Sequence, residues 1–297
     1  MREYLSILRI HIVLIAVFGL LVFGWLLTGR YFVGVALIAG LDWLLINLAN
    51  RVSDIAEDLA NRIPGAERVA SSKVAYLVAF VVLLAGSFVL SILIYPEITW
   101  WRILMQFTGF VYNFKVIPAQ KGWIRLKNLY FFKNFLSAFG FFITCFGYPL
   151  AMCGYAPALG WSAVPALVLY FVPYELSFEI FYDFRDVEGD RKEGVRTYPV
   201  VHGQETSVKI IDGLLIGSVL ISFAAFFIGA IGAREALMAG GPAIQYLVLH
   251  PLIRRGVTTS HCVWVTHMGT GLLAFYLAGT AVWVKLGLMK NFFLWAG

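Results

Sequence analysis

Residues 160–192 read GWSAVPALVLYFVPYELSFEIFYDFRDVEGDRK, and this stretch decides the fold. Its first part, 160–182, is an apolar run long enough to cross the hydrocarbon core of a bilayer, which takes about 20 helical residues. Polar and apolar residues do not alternate in it, so it reads as a helix and not as a barrel strand. It then turns abruptly acidic and basic. The same pattern recurs along the chain. Apolar runs at 10–28, 31–49, 74–95, 99–115, 130–152, 160–182, 208–232, 240–253 and 262–287 are separated by short charged loops. The fourth and eighth are short for a full crossing and read as tilted or tucked against a cavity. The expectation is an all-α integral membrane protein, a bundle of nine transmembrane helices, with helices throughout and one domain over residues 1–297.

Composition agrees with this. Hydrophobic residues make up 60% of the 297 and charged residues 13%, with a mean hydropathy of +0.81. A soluble domain of that composition would expose large apolar patches. The net charge of +6 does not indicate nucleic acid, because the basic residues lie in loops between apolar runs. Cys145, Cys153, Cys262 and the five histidines show no metal-ligand spacing. Residues 10–28 are too long for a signal-peptide core and read as a first span. The N-terminus and the loops after spans two, four, six and eight carry 18 of the 23 basic residues; Arg30, Arg102, Arg234, Lys285 and Lys290 fall on the other side. Positive charge stays inside, so the N-terminus and those loops are expected in the cytoplasm.

This orientation puts two acidic clusters on one face. The first, after span two, runs from Asn50 through Asp54, Glu57 and Asp58. Asn50, Asp54 and Asp58 are spaced by four, which on a helix stacks them along one side. Oxygen ligands at the negative end of a helix suit a hard cation such as Mg²⁺. The second cluster, after span six, holds Asp183, Asp186 and Asp190 at i, i+3 and i+7, with Gly189 near the helix end. Alone, the first cluster is equally well a solvated helix end and the second a hydrophilic loop. Together on one face they repel each other unless a cation or a proton neutralises them. Basic residues are interleaved with them: Arg62, Arg68, Lys73, Lys121, Arg125, Lys127, Arg191 and Lys192. Carboxylates bridged by Mg²⁺ and rimmed by Lys and Arg form a cradle for a diphosphate. Arg68, Arg125 and Lys127 stand out by their nearness to the clusters; most of the others serve topology.

At this point the chain resembles the UbiA superfamily of intramembrane prenyltransferases. Asn50, Asp54 and Asp58 are similar to its NxxxDxxxD motif after the second helix. Asp186 and Asp190, preceded by Asp183, resemble its DxxxD motif after the sixth, and residues 189–203 resemble its continuation. Tyr112, followed by Arg125 and Lys127, is similar to the family's tyrosine and basic segment. The resemblance implies nine helices around a central cavity with the aspartate motifs at its cytoplasmic mouth. It implies Mg²⁺ held by Asn50, Asp54, Asp58, Asp186 and Asp190, and an isoprenoid diphosphate donor bound also by Arg68, Tyr112, Arg125, Lys127 and Lys192. The prenyl chain would pass to an aromatic or other lipophilic acceptor within the membrane lipid. The alternative is a terpene synthase of the same architecture that cyclises the donor with no acceptor. A transporter with intramembrane acids is a third reading, disfavoured because the acids crowd at span ends.

Span five is crowded with phenylalanines, Phe131, Phe132, Phe135, Phe139, Phe141 and Phe142, which are either π faces for an allylic cation or lipid-facing bulk. Asp42, Glu175 and Glu179 are ionisable groups inside spans, where each faces a cavity or a partner. Glu175 and Glu179 lie on the stripe of Asp183, and Glu179 joins the candidate catalytic set. They position or deprotonate an acceptor or steer a cation; the alternative is a protonated acid bonded to a neighbouring helix, which is the reading taken for Asp42.

Overall fold

A computed structural model describes residues 2–60, 63–119 and 122–288. Arg62, Lys121 and Lys290 lie outside the described residues. The helices are α1 (Arg2–Leu8), α2 (Ile10–Thr28), α3 (Val33–Ser53), α4 (Ile55–Ala60), α5 (Ala66–Ser71), α6 (Lys73–Ile94) and α7 (Thr99–Asn113). After the short strands β1 (Ile117–Ala119) and β2 (Gly122–Ile124) come α8 (Phe132–Phe142), α9 (Tyr148–Met152), α10 (Ala163–Lys192), α11 (Tyr198–Phe227), α12 (Ala233–Ala236), α13 (Gly240–Arg255) and α14 (Thr259–Lys285).

Eight of these stretches are long and apolar enough to span a membrane. The fourth expected span is α7, a helix of only 15 residues, so eight spans, not nine, meet the length requirement among the described residues. The helices close into a ring. In order, α2, α3, α7, α8, α10, α11, α13 and α14 each pack on the next, and α14 returns to α2. α6 packs on α3 outside the ring. Only 11% of its apolar window is buried, as befits a helix whose other faces meet lipid. An apolar cavity of about 400 Å³ lies between α2, α8, α10, α13 and α14, open to one side where the exposed Leu237 and Phe275 line it.

The antiparallel pair β1–β2 departs from the expectation of helices throughout. The rule that excludes strands applies to backbone in hydrocarbon, whereas this hairpin is largely exposed and follows the end of α7. It leads the chain to Arg125 and Lys127. The fifth span contains one wide π turn, Ile143–Gly147, between α8 and α9. Gly147 there lies against the Trp101 ring, and a Cβ would stand 2.6 Å from it. Gly147→Ala is therefore expected to cost about 1–3 kcal/mol through overpacking against a rigid indole, read as a lower thermal midpoint in detergent.

Two basic residues counted on the opposite face are not loop charges. Arg102 is wholly buried against Asp42, and Arg234 is buried against Glu235. Asp42 is thus bonded to a neighbouring helix, but as the partner of an arginine and not as the protonated acid expected.

Candidate active site

The first cluster sits at the end of α3. The expected stripe is broken there. Asp54 has φ −104° and ψ 19°, its N–H closes on the Asn50 carbonyl at 2.9 Å, and α4 starts anew at Ile55. Asn50 Nδ2 still donates to Asp54 Oδ2 at 2.6 Å and to Asn113 Oδ1, at the end of α7, at 3.0 Å. Asp58, on the new short helix, turns instead to Arg51 at 2.7 Å.

The segment after the hairpin delivers two cations to Asp54. Arg125 Nη1 contacts Asp54 Oδ1, and Lys127 Nζ lies 2.5 Å from Oδ2. Lys127 also reaches Glu57 at 3.3 Å and stands 5.8 Å from the centre of the Tyr112 ring. Burial works to raise the Asp54 carboxyl, but Lys127 and Arg125 prevail and hold it below the usual range.

The second cluster rides on α10, which runs unbroken through Gly189 to Lys192. At 100° per residue, Asp190 returns to within about 20° of Asp183, while Asp186 stands about 60° off. The contacts follow this geometry. Lys133 Nζ lies between Asp183 and Asp190, at 3.0 and 2.8 Å. Asn134 Nδ2 donates to Asp183 at 2.7 Å. Asp186 forms a two-point pair with Arg185 at 2.7 and 2.6 Å. One turn deeper, Ser137 Oγ donates to Glu179 at 2.7 Å.

Glu57 lies 3.3 Å from Lys127 and 3.8 Å from Arg125. Burial raises its carboxyl, and Asp54 and Asp190 raise it further against Lys127 and Lys133. Charges from both clusters therefore act on one side chain.

Not every expected residue arrives. Arg68 is exposed, with Nη1 donating to the Tyr4 hydroxyl at 2.6 Å, and Lys192 is exposed on the last turn of α10. Lys133, Glu57, Asn113, Asn134 and Ser137 were not singled out from sequence. Lys133 had a signal, being a lone cation just inside an apolar span, where an ionisable group is costly without a partner. Among the six phenylalanines of span five only Phe132 is exposed. Phe131, Phe135, Phe139, Phe142 and Phe146 stack in series at 5.1 to 6.0 Å. Phe141 stacks on Trp43 at 4.1 Å and lines the cavity.

The donor chemistry fits Mg²⁺. Carboxylate and amide oxygens are its ligands, and Lys133 is a cation already shared between two carboxylates. Among the described residues no three Asp, Glu, His or Cys side chains gather around one point; the carboxylates are closed on Lys and Arg instead.

The sequence model of the UbiA prenyltransferase family matches residues 12–260. Digeranylgeranylglyceryl phosphate synthase of Haloquadratum walsbyi is 39% identical over 54 residues, 18% of this chain and 19% of that protein, so the match spans about a fifth of the curated relative's length. The fold is similar to that of a UbiA homologue from Archaeoglobus fulgidus bound to DMAPP and Mg²⁺, with a TM-score of 0.68 and 16% identity over 93% of this chain and 98% of that one. The same homologue bound to GPP and Mg²⁺ gives 0.67 and 17% over the same shares.

Proposed function

The chain belongs to the UbiA prenyltransferase family, and from that premise we propose that it ionises an isoprenoid diphosphate with Mg²⁺ at the mouth of its ring of helices and transfers the prenyl group to a lipophilic acceptor. The observation that carries this reading is that each aspartate cluster is clamped by its own cations, Asp54 by Arg125 and Lys127 and Asp183 with Asp190 by Lys133, while Asp54, Asp190 and both lysines act on the charge of Glu57. Asp54, Asp58, Asp186 and Asp190, with Asn50, would hold Mg²⁺, which supplies the charge that neutralises the leaving diphosphate. Asp183 serves the same end of α10 by fixing Lys133.

Arg125, Lys127 and Lys133 carry the protein's own positive charge to the diphosphate. Each is paired with a carboxylate, and phosphate oxygens of the donor would be the alternative partners. Tyr112 walls the site beside Lys127. The phenylalanine series leads inward, away from water, and offers π faces to the allylic cation. Glu179, one turn below Asp183, lies next to where that cation forms. The exposed Arg68 and Lys192 stand outside this arrangement. The excess of Lys and Arg in the loops at this end supports a cytoplasmic face for the mouth.

The test is product analysis. Purified protein with Mg²⁺ and dimethylallyl, geranyl, farnesyl or geranylgeranyl diphosphate is expected to form a prenylated lipid when membrane lipid is supplied. EDTA is expected to stop the reaction. Cyclic or hydrocarbon products formed without added lipid would assign a terpene cyclase instead. Failure to consume any of these diphosphates would remove the reading altogether.

A further inference from the structure

The central cavity is apolar except at one place. Several polar groups on its wall are satisfied within the protein. The Tyr170 hydroxyl donates to the Met238 carbonyl at 2.8 Å, Tyr276 to the Arg234 carbonyl at 2.8 Å, Thr280 to the Leu277 carbonyl at 2.8 Å, and Arg234 pairs with Glu235. Glu175 also lines the cavity and is only 6% exposed, yet no hydrogen bond or ion pair reaches its carboxyl from any described residue. The Tyr174 hydroxyl, on a residue that also lines the cavity, likewise has no hydrogen-bond partner among them. The cavity therefore holds one unsatisfied polar spot in a wall of Phe23, Phe141, Phe171 and Phe178.

A buried carboxyl left without a partner is destabilising, and a hydrocarbon chain lying over it does nothing to relieve that. A prenyl tail has no group to offer. An occupant that both donates and accepts a hydrogen bond at this level does. We propose that Glu175, with the Tyr174 hydroxyl, recognises a hydroxyl group on a lipophilic second substrate that shares the cavity with the prenyl chain.

The position suits an acceptor and not a donor. Glu175 lies on the stripe of Glu179 and Asp183, about 6 Å and about 12 Å along α10 from them. The group it binds thus sits below the ionisation site, in the apolar half of the molecule. Glu175 acts as a specificity residue there, selecting the acceptor by a polar group set in an apolar body. This assignment rests on the prenyl-transfer reading, and it weighs against an enzyme that cyclises a lone hydrocarbon chain.

The test compares two probes of equal skeleton, farnesol and its hydrocarbon counterpart farnesene, by their effect on the thermal midpoint of the purified full-length protein in detergent. Wild type is expected to bind farnesol about tenfold more tightly than farnesene, the worth of one hydrogen bond to a buried group. Glu175→Leu is expected to erase that preference. Glu175→Gln, which still donates and accepts but carries no charge, is expected to keep most of it; its loss in Gln would mean that a cation and not a hydroxyl is the partner, and would overturn the proposal. Tyr174→Phe deletes a single oxygen and is expected to weaken the preference in the same direction, which keeps the test open should the Leu variant fail to fold. Equal binding of the two probes by wild type, or an undiminished preference in Glu175→Leu, would overturn the assignment. A wild-type protein that prefers farnesol but consumes no prenyl diphosphate would instead overturn the transfer reading on which it rests.

Discussion

Asp54→Ala and Asp190→Ala are each expected to lower Mg²⁺-dependent consumption of the prenyl diphosphate by at least about a hundredfold, the scale of losing one preorganised electrostatic contact to a developing charge. The two residues reach the site from opposite walls, Asp54 from the end of α3 and Asp190 from the last turns of α10. On the proposed metal site, loss of either would leave the other's ligand set incomplete. The effect belongs to rate and not to folding. Asp54→Ala frees Arg125 and Lys127, which keep Glu57 as a partner at 3.8 and 3.3 Å. Asp190→Ala leaves Lys133 paired with Asp183. Both variants are therefore expected to stay folded, and steady-state rates across a Mg²⁺ titration separate a lost ligand from a lost structure. Glu205→Ala is the control. Its exposed pair with Lys209 contributes little, so neither activity nor the thermal midpoint is expected to change.

Arg102→Ala is expected to cost about 3–5 kcal/mol of stability, the usual result of stranding one partner of a buried ion pair. Arg102 is wholly buried. Its Nε and Nη2 hold Asp42 at 3.0 and 2.6 Å, Nη2 also reaches Ser87 Oγ at 2.9 Å, and Nη1 reaches Ser91 Oγ and the Ser87 carbonyl at 2.6 and 2.8 Å. Asp42 in turn accepts from Tyr148 at 2.7 Å and Gln106 at 2.9 Å. This network ties α3, α6, α7 and α9 together on the lipid-facing side of the ring. With Arg102 gone, Asp42 keeps a charge or a proton with poor company. Removing both, as in Asp42→Leu with Arg102→Leu, is expected to cost much less than the single change, because no charge is then stranded. Unfolding in detergent of the two singles and the double measures the difference.

The helical, membrane-spanning character was legible because lipid imposes it on any apolar run of sufficient length. The ends of the spans were less legible. The sixth apolar run stops at Tyr182, but its helix does not: α10 continues to Lys192, as the helical spacing of Asp183, Asp186 and Asp190 implied, with Lys133 and Asn134 as partners of those acids, which spacing did not reveal. The fourth run is a 15-residue helix, since Asn113 turns to Asn50 and the chain leaves as a hairpin.

In the site, spacing by four joined Asn50 to Asp54, whose side chains bond, whereas Asp58 lies beyond the break at Asp54 and bonds Arg51. The cations that clamp Asp54 come from residues 125 and 127, which spacing within the first cluster does not reveal. Lys133 went unread because hydropathy averages a single lysine into the phenylalanines around it. Its partners lie 50 and 57 residues further on, as sequence positions Asp183 and Asp190 require. Arg68 was placed near the site by sequence proximity to the first cluster, but α5 turns it to Tyr4 on the surface.

The most direct measurement is anomalous diffraction from crystals grown with Mn²⁺ and a thiolodiphosphate analogue of geranyl diphosphate. Manganese peaks are expected in the space between the α3 end and the last turns of α10, with oxygens of both Asp54 and Asp190 among the ligands and Lys127 and Lys133 turned to the diphosphate. Peaks that touch only one of the two aspartate clusters, or a diphosphate bound elsewhere while Lys127 and Lys133 stay closed on their carboxylates, would contradict it.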